Sequence, residues 1–243
     1  MKQKADLDKL LNLGWTRQTN TTSSIGELDL PMLSCHTTVL PEFLALYGEP
    51  GRYHEAGDLT GVCFYSYDRE FDGIHGLFNA IYHQDEKLLA LYRQRFAGVR
   101  IFISPDYSQF GDVHTIENAY RLFKTAVVSI WLTNELHGVV IPNITGASGP
   151  LTKLLLASLH DCSVVAFSTK GHMNSRAEKE QLRELIRLTV DTLSLQSILV
   201  YDTCGDDDQV MRIFEYALAK GINVAIPDNT LKNRNRQRKA VLR

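Results

Sequence analysis

The chain has 243 residues, 44% of them apolar and 22% charged, and its 26 Lys and Arg against 28 Asp and Glu leave a formal net charge of −2. Usage this ordinary excludes disordered, collagen-like and coiled-coil chains, and the charge balance excludes a uniformly basic nucleic-acid surface. The most apolar stretch, Ala126 to Leu132, is too short to cross a bilayer and the N-terminus lacks the apolar core of a signal peptide, so a cytoplasmic protein without a membrane partner is expected.

In chain order, residues 1–60 read as a helix followed by an irregular lead-in punctuated by Pro31, Pro41 and Pro50, with a weak strand between Leu30 and Val39. Short runs rich in Val and Ile then recur: Val62 to Tyr65, Val99 to Ile103, Val139 to Ile141, Val164 to Phe167, Ile198 to Tyr201 and Val224 to Ile226. Runs that are apolar without alternation suit strands covered on both faces, the condition of parallel strands packed between helices. Thr115 to Leu136, closed by Gly138, is the longest predicted helix and makes Trp131 a core residue; Gly149-Pro150 opens another that runs through Leu159. Ser175-Arg176-Ala177-Glu178 is a capping box ahead of a stripe formed by Leu182, Leu185, Ile186, Val190 and Leu193. Asp206-Asp207-Asp208 complements the dipole of a last helix, which Gly221 stops.

Strand and helix alternate over residues 61–230, which predicts an α/β domain spanning the whole chain, with a mainly parallel sheet and right-handed crossovers. Two architectures satisfy that order, a barrel-like (β/α) arrangement and an open doubly wound sheet. Nearly every strand ends in polar residues: Asp68; Ser104, Asp106 and Ser108; Asn143 and Thr145; Ser168, Thr169 and Lys170; Asp202 and Thr203; Asp228 and Asn229. An open sheet needs functional ends only beside its switch point, whereas a barrel gathers all its strand ends around one pocket, so the distribution favours the barrel.

Asp106 follows Pro105 directly after a strand, where it would face the cleft above the sheet as an acid, a base or a metal ligand; the competing role is a turn cap formed with Ser108. Were Asp202 and Asp228 to converge on it, the oxygens would suit Mg²⁺ or Mn²⁺ in phosphoester chemistry, and a pair of carboxyls would suit glycosidic cleavage. Asp228 also lies in a turn signal of its own, Pro227-Asp228-Asn229. His172, beside Lys170 in a strand-end loop, is the one histidine placed as an acid or base. Ser104, Ser108, Asn143, Ser168, Thr169 and Lys170 would position a phosphate-bearing ligand, the loops before Gly149 and Ser175 offering helix N-termini to it. The cysteines Cys35, Cys63, Cys162 and Cys204 form no C-x-x-C pair, so neither zinc nor thiol redox chemistry follows from their spacing. From Lys232 onward the chain carries Lys232, Arg234, Arg236, Arg238, Lys239 and Arg243 and no acid. Such a tail is either a frayed solubilising end or an arm that contacts nucleic-acid phosphates.

Ser104-Pro105-Asp106-Tyr107-Ser108, Asn118-x-Tyr120-Arg121, Gly138 to Asn143, Ala166 to Gly171 and Leu199-Val200-Tyr201, preceded by the aromatic and acidic segment Phe64 to Phe71, together resemble a family of bacterial, archaeal and phage proteins, domain of unknown function 4417. The resemblance covers about residues 30 to 205 and implies a prokaryotic or phage, mobile-element setting without an assigned chemistry. The family pattern often ends in Tyr-Gly, whereas this chain continues as Tyr201-Asp202-Thr203-Cys204-Gly205. The expected function is hydrolysis of a phosphate-bearing or nucleotide-like substrate at the strand ends. The alternative is a non-catalytic phage or mobile-element protein that binds nucleic acid or another protein.

Overall fold

A computed structural model describes residues 22–146 and 149–241. The helix expected near the N-terminus falls on residues 1–21 and lies outside the described residues. The strands are β1 (Ser24–Ile25), β2 (Leu30–Pro31), β3 (Ser34–Cys35), β4 (Phe43–Leu46), β5 (Thr60–Cys63), β6 (Ile101–Ile103), β7 (Val139–Ile141), β8 (Asp161–Cys162), β9 (Val164–Ser168), β10 (Ser197–Tyr201), β11 (Asn223–Ala225) and β12 (Asp228–Asn229). The helices are α1 (Asp68–Phe71), α2 (Leu77–Tyr82), α3 (Glu86–Arg95), α4 (Thr115–Leu136), α5 (Gly149–Ser158), α6 (Arg176–Thr192), α7 (Asp207–Ile213), α8 (Glu215–Ala219) and α9 (Thr230–Val241).

The strands form two parallel sheets rather than one continuous ladder, a five-stranded sheet in the order β12-β4-β5-β6-β7 and a three-stranded sheet in the order β11-β10-β9. Two short pairs accompany them: β1 runs antiparallel to β2, and β3 runs parallel to β8. The large sheets meet where Asn143 bridges Ala166, through Ala166 N–H to Pro142 O at 2.7 Å and Ile144 N–H to Ala166 O at 2.8 Å. At the other side, β11 runs into β12 across Ile226 and Pro227. Both junctions contain a proline, which has no N–H to give to a ladder, so regular pairing stops there.

Side chains of β4 to β7 alternate between two cores. Phe43, Ala45, Val62, Phe64, Phe102 and Val140 face an aromatic layer with α2, α3 and α4, in which Trp131 is 1% exposed. Leu44, Cys63, Tyr65, Ile101, Ile103 and Ile141 join the other core, to which β9 and β10 contribute every residue from Val164 to Phe167 and from Ile198 to Tyr201. This double coverage is the reason those runs read as unbroken apolar sequence.

The Ser175 capping box is present, with the Ser175 hydroxyl accepting from Glu178 N–H and the Glu178 carboxylate accepting from Ser175 N–H. The final predicted helix breaks at Phe214 into α7 and α8, and His137, in the left-handed region at φ 53°, ends α4 one residue before Gly138. None of the described helices is long and apolar enough to cross a membrane.

Candidate functional site

Because the eight strands of the two sheets are parallel, their C-terminal ends lie on one edge. There β6 delivers Ser104-Pro105-Asp106 and β7 delivers Asn143. Ser104 is buried, and its hydroxyl accepts the Asn143 N–H at 2.8 Å, tying the two strand ends together. Asn143 is then held through its side chain: its Nδ2 donates to Asp106 Oδ1 at 2.8 Å, and its Oδ1 accepts the Tyr65 hydroxyl at 2.7 Å. The Tyr65 ring in turn stacks on Tyr201, with centroids 4.8 Å apart. A tyrosine-amide-carboxyl chain thus fixes the orientation of Asp106. Burial, reinforced by the Asp68 carboxylate, pushes the Asp106 carboxyl up to about 6, against the opposing effects of the Asn143 hydrogen bond and Lys170.

Lys170 reaches over from the end of β9, its Nζ donating to Tyr65 O at 2.8 Å and standing 5.2 Å from the centre of the Tyr67 ring. His172 stands at the rim, where partial burial lowers its pKa and Glu178 acts in the opposite sense. These groups line a cleft of about 360 Å³. Its polar side is Asp106, Ser108, Asn143, Ser168, Lys170 and His172; its apolar side includes Phe110, Ile144, Phe167, Leu182 and Leu185. A larger groove of about 430 Å³ between Leu30 and Phe123 is apolar among the described residues except for Glu117 and the Tyr120 hydroxyl, and it offers no comparable convergence of polar groups.

Six of the sequence-predicted residues therefore line one cleft, and Ser104, Thr169 and Asp202 do not. Asp202 is fully buried, and both its carboxylate oxygens are occupied: Oδ1 accepts from the Thr169 hydroxyl at 3.1 Å and from Cys204 N–H at 2.7 Å, and Oδ2 from Gly205 N–H at 2.9 Å. It locks the turn after β10, and Thr169 is its partner in that turn and does not line the cleft. The expected convergence of Asp106, Asp202 and Asp228 on a metal is not found. Asp228 pairs with Lys232 and Arg236, and no group of three or more His, Cys, Asp or Glu side chains suited to a metal ion occurs among the described residues. Asp68 accepts from Ser108 N–H, the Ser108 hydroxyl and Arg121, so it frames the loop after β6 rather than entering the cleft.

The basic segment is not a free end. It forms α9, which packs on the turn after β10 through Asn235 Nδ2 to Thr203 O at 2.7 Å. Lys232 is 1% exposed, its Nζ donating to Ile226 O and lying 3.1 Å from Asp207 Oδ1. Arg236 bridges Asp207 at 2.6 Å and Asp228 at 3.0 Å, and Lys239 lies 3.8 Å from Asp206. Asp206 and Asp207, of the acidic run read as helix-dipole charge, thus pair with Lys232, Arg236 and Lys239, three of the six basic residues of the segment. Arg234 and Arg238 remain on the exposed side.

Sequence reasoning missed Tyr65, hidden as the last residue of an apolar run, and the roles of Gln109, Phe110 and Asn118. A polar hydroxyl at the end of an otherwise apolar strand was the available signal for Tyr65.

The family model for a domain of unknown function, DUF4417, matches residues 22–217, a span that contains every residue of the cleft, and the chain belongs to that family. No curated protein and no solved structure matches the chain.

Proposed function

We propose that this member of the DUF4417 family is a hydrolytic enzyme in which Asp106 transfers the proton and Lys170 and His172 bind a phosphate or similar anionic group of a small substrate. The observation that carries the reading is a carboxyl raised to about 6, held by the Asn143–Tyr65 chain in a cleft that also presents an ammonium group and an imidazole. A carboxyl with that affinity is half protonated near pH 6 and still about one-tenth protonated at pH 7, so it lies closer to the operating pH than an ordinary carboxyl and can both donate and recover a proton. In the cycle it supports, the carboxyl gives its proton to the leaving atom as the bond to that atom breaks. Water supplies the hydroxyl to the other fragment and returns a proton to the carboxylate.

The architecture we propose for this site is a (β/α) barrel of seven strand positions. The order β4-β5-β6-β7 continues through the Asn143–Ala166 bridge into β9-β10-β11, and β11 continues as β12, the partner of β4. On that reading the cleft occupies the mouth at the strand C-terminal ends, where barrel enzymes carry their chemistry.

The test is turnover of a panel of phosphorylated small molecules by wild type and Asp106→Asn. The variant is expected to lose at least about 100-fold in kcat while still binding ligand, and the wild-type pH profile to break near 6. Undiminished turnover in Asp106→Asn would end the proposal.

A further inference from the structure

The loop after Asp106, which lines the cleft, is pinned to α1 and α4. Asn118, buried on α4, clamps the backbone of Phe110 from both sides: its Oδ1 accepts Phe110 N–H at 3.1 Å and its Nδ2 donates to Phe110 O at 2.7 Å. Gln109 Nε2 donates to Asn118 O at 3.4 Å, and two residues earlier in the loop, Ser108 is fixed to Asp68 through both N–H and hydroxyl. Arg121, one helical turn after Asn118, pairs with Asp68 at 2.8 Å and lays its guanidinium 5.1 Å from the centre of the Phe110 ring. The residue these bonds present is a phenylalanine 44% exposed at the wall of the cleft.

A buried amide spent on both polar groups of one backbone position fixes that position in space, and the ring it carries rests beside the Arg121 guanidinium while staying 44% exposed. We infer that Phe110 is a stacking platform and that the ligand of this cleft carries a planar heteroaromatic ring, of the nucleobase class, joined to its anionic group. The inference rests on the reading of the cleft given above and adds the ligand's other half. The cleft lining carries both kinds of surface, apolar at Phe110, Ile144 and Phe167 and polar at Asp106, Lys170 and His172. Ring stacking on one aromatic side chain is worth about one to two decades of affinity, tolerates any base, and uses surface that a bare sugar phosphate leaves wet. Phe110 is on this account a specificity-determining residue, whereas Asn118 and Arg121 are positioning residues that act through it.

The experiment is calorimetric titration of AMP, UMP, ribose 5-phosphate and inorganic phosphate into wild type, Phe110→Leu, Phe110→Trp and Asp106→Asn. Wild type is expected to bind both mononucleotides at least about tenfold more tightly than ribose 5-phosphate. Phe110→Leu, which keeps apolar bulk without a ring, should erase that gap, and Phe110→Trp should keep it; equal melting temperatures would show that the exposed substitution leaves the fold intact. Asp106→Asn should retain the gap, because the stacking surface is untouched. Equal affinity of AMP and ribose 5-phosphate for wild type, or an unchanged gap in Phe110→Leu, overturns the platform while leaving the anion-binding, proton-transferring cleft standing. Absence of mononucleotide binding overturns the platform as well, and turnover of a non-aromatic phosphate lost in Asp106→Asn would then show that the cleft reading survives alone.

Discussion

Asp106 sits in a conflict between folding and chemistry that a stability measurement resolves. Its folded pKa of about 6 lies above the unfolded value, so between pH 4 and 6 the folded state binds the extra proton and stability falls as pH rises through that window. Above it, wild type carries a cost on the order of 3 kcal/mol for an ionised, partly buried carboxyl, which Asp106→Asn does not. In urea titrations the variant should therefore match wild type near pH 4 and exceed it by about 3 kcal/mol at pH 7.5. A variant less stable at every pH would make Asp106 a turn cap. The sequence exposed this residue through its place after a strand and a proline. It did not expose Tyr65 or Asn118, because an aromatic in an apolar run and an amide in a long helix have the composition of core. Their roles lie in partners 78 and 8 positions away.

At the scale of elements, the strand runs from Val62 onward, the capping box and the limits of α4 were legible, since each rests on local periodicity or a local hydrogen-bond motif. Strand β4 was not, because Phe43-Leu44-Ala45-Leu46 is short, flanked by prolines and without β-branched residues. Helices α1 to α3 were missed for a similar reason: their signals are brief, and α3 is capped by Asp85 accepting from Lys87 and Leu88 N–H rather than by a capping box. That the tail folds as α9 was not legible, because its charge was counted without its partners. Lys232 is the centre of the α9 contact, and close approach there requires Gly205 at φ 64°, where a Cβ would meet Arg236 N at 2.9 Å and Lys232 O at 3.0 Å. Lys232→Met, which keeps the buried stem but removes the ammonium, should cost about 2 kcal/mol in chemical denaturation, whereas Arg234→Ala should change stability by less than about 0.5 kcal/mol. Equal effects of the two would mean that the ion pairs do not hold α9.

For the molecule as a whole, the α/β class and the common edge of strand ends followed from alternation and from the polar residues that terminate each run. How the sheets join did not, since it depends on Pro142 and Pro227 interrupting pairings between segments far apart in sequence. The family match stops at residue 217, before β11, β12 and α9, yet β12 is the outer neighbour of β4. A chain ended at Ala217 should consequently lose cooperative unfolding and associate, as read by circular dichroism and gel filtration; a monomer with the wild-type melting temperature would refute this. The pairing of Phe43 with Asp228 also sets an order in time. During synthesis at about 5–20 residues per second, β4 leaves the ribosome roughly 10–40 s before the strand that completes its edge. Through that wait an apolar edge faces a crowded solution, guarded by Pro41 and Glu42 ahead of the strand and by Glu49 and Pro50 behind it, residues that resist pairing with a stranger. A nascent chain of this protein is therefore most vulnerable to misassociation just before β12 arrives, and strengthening those flanks should raise soluble yield without touching the cleft.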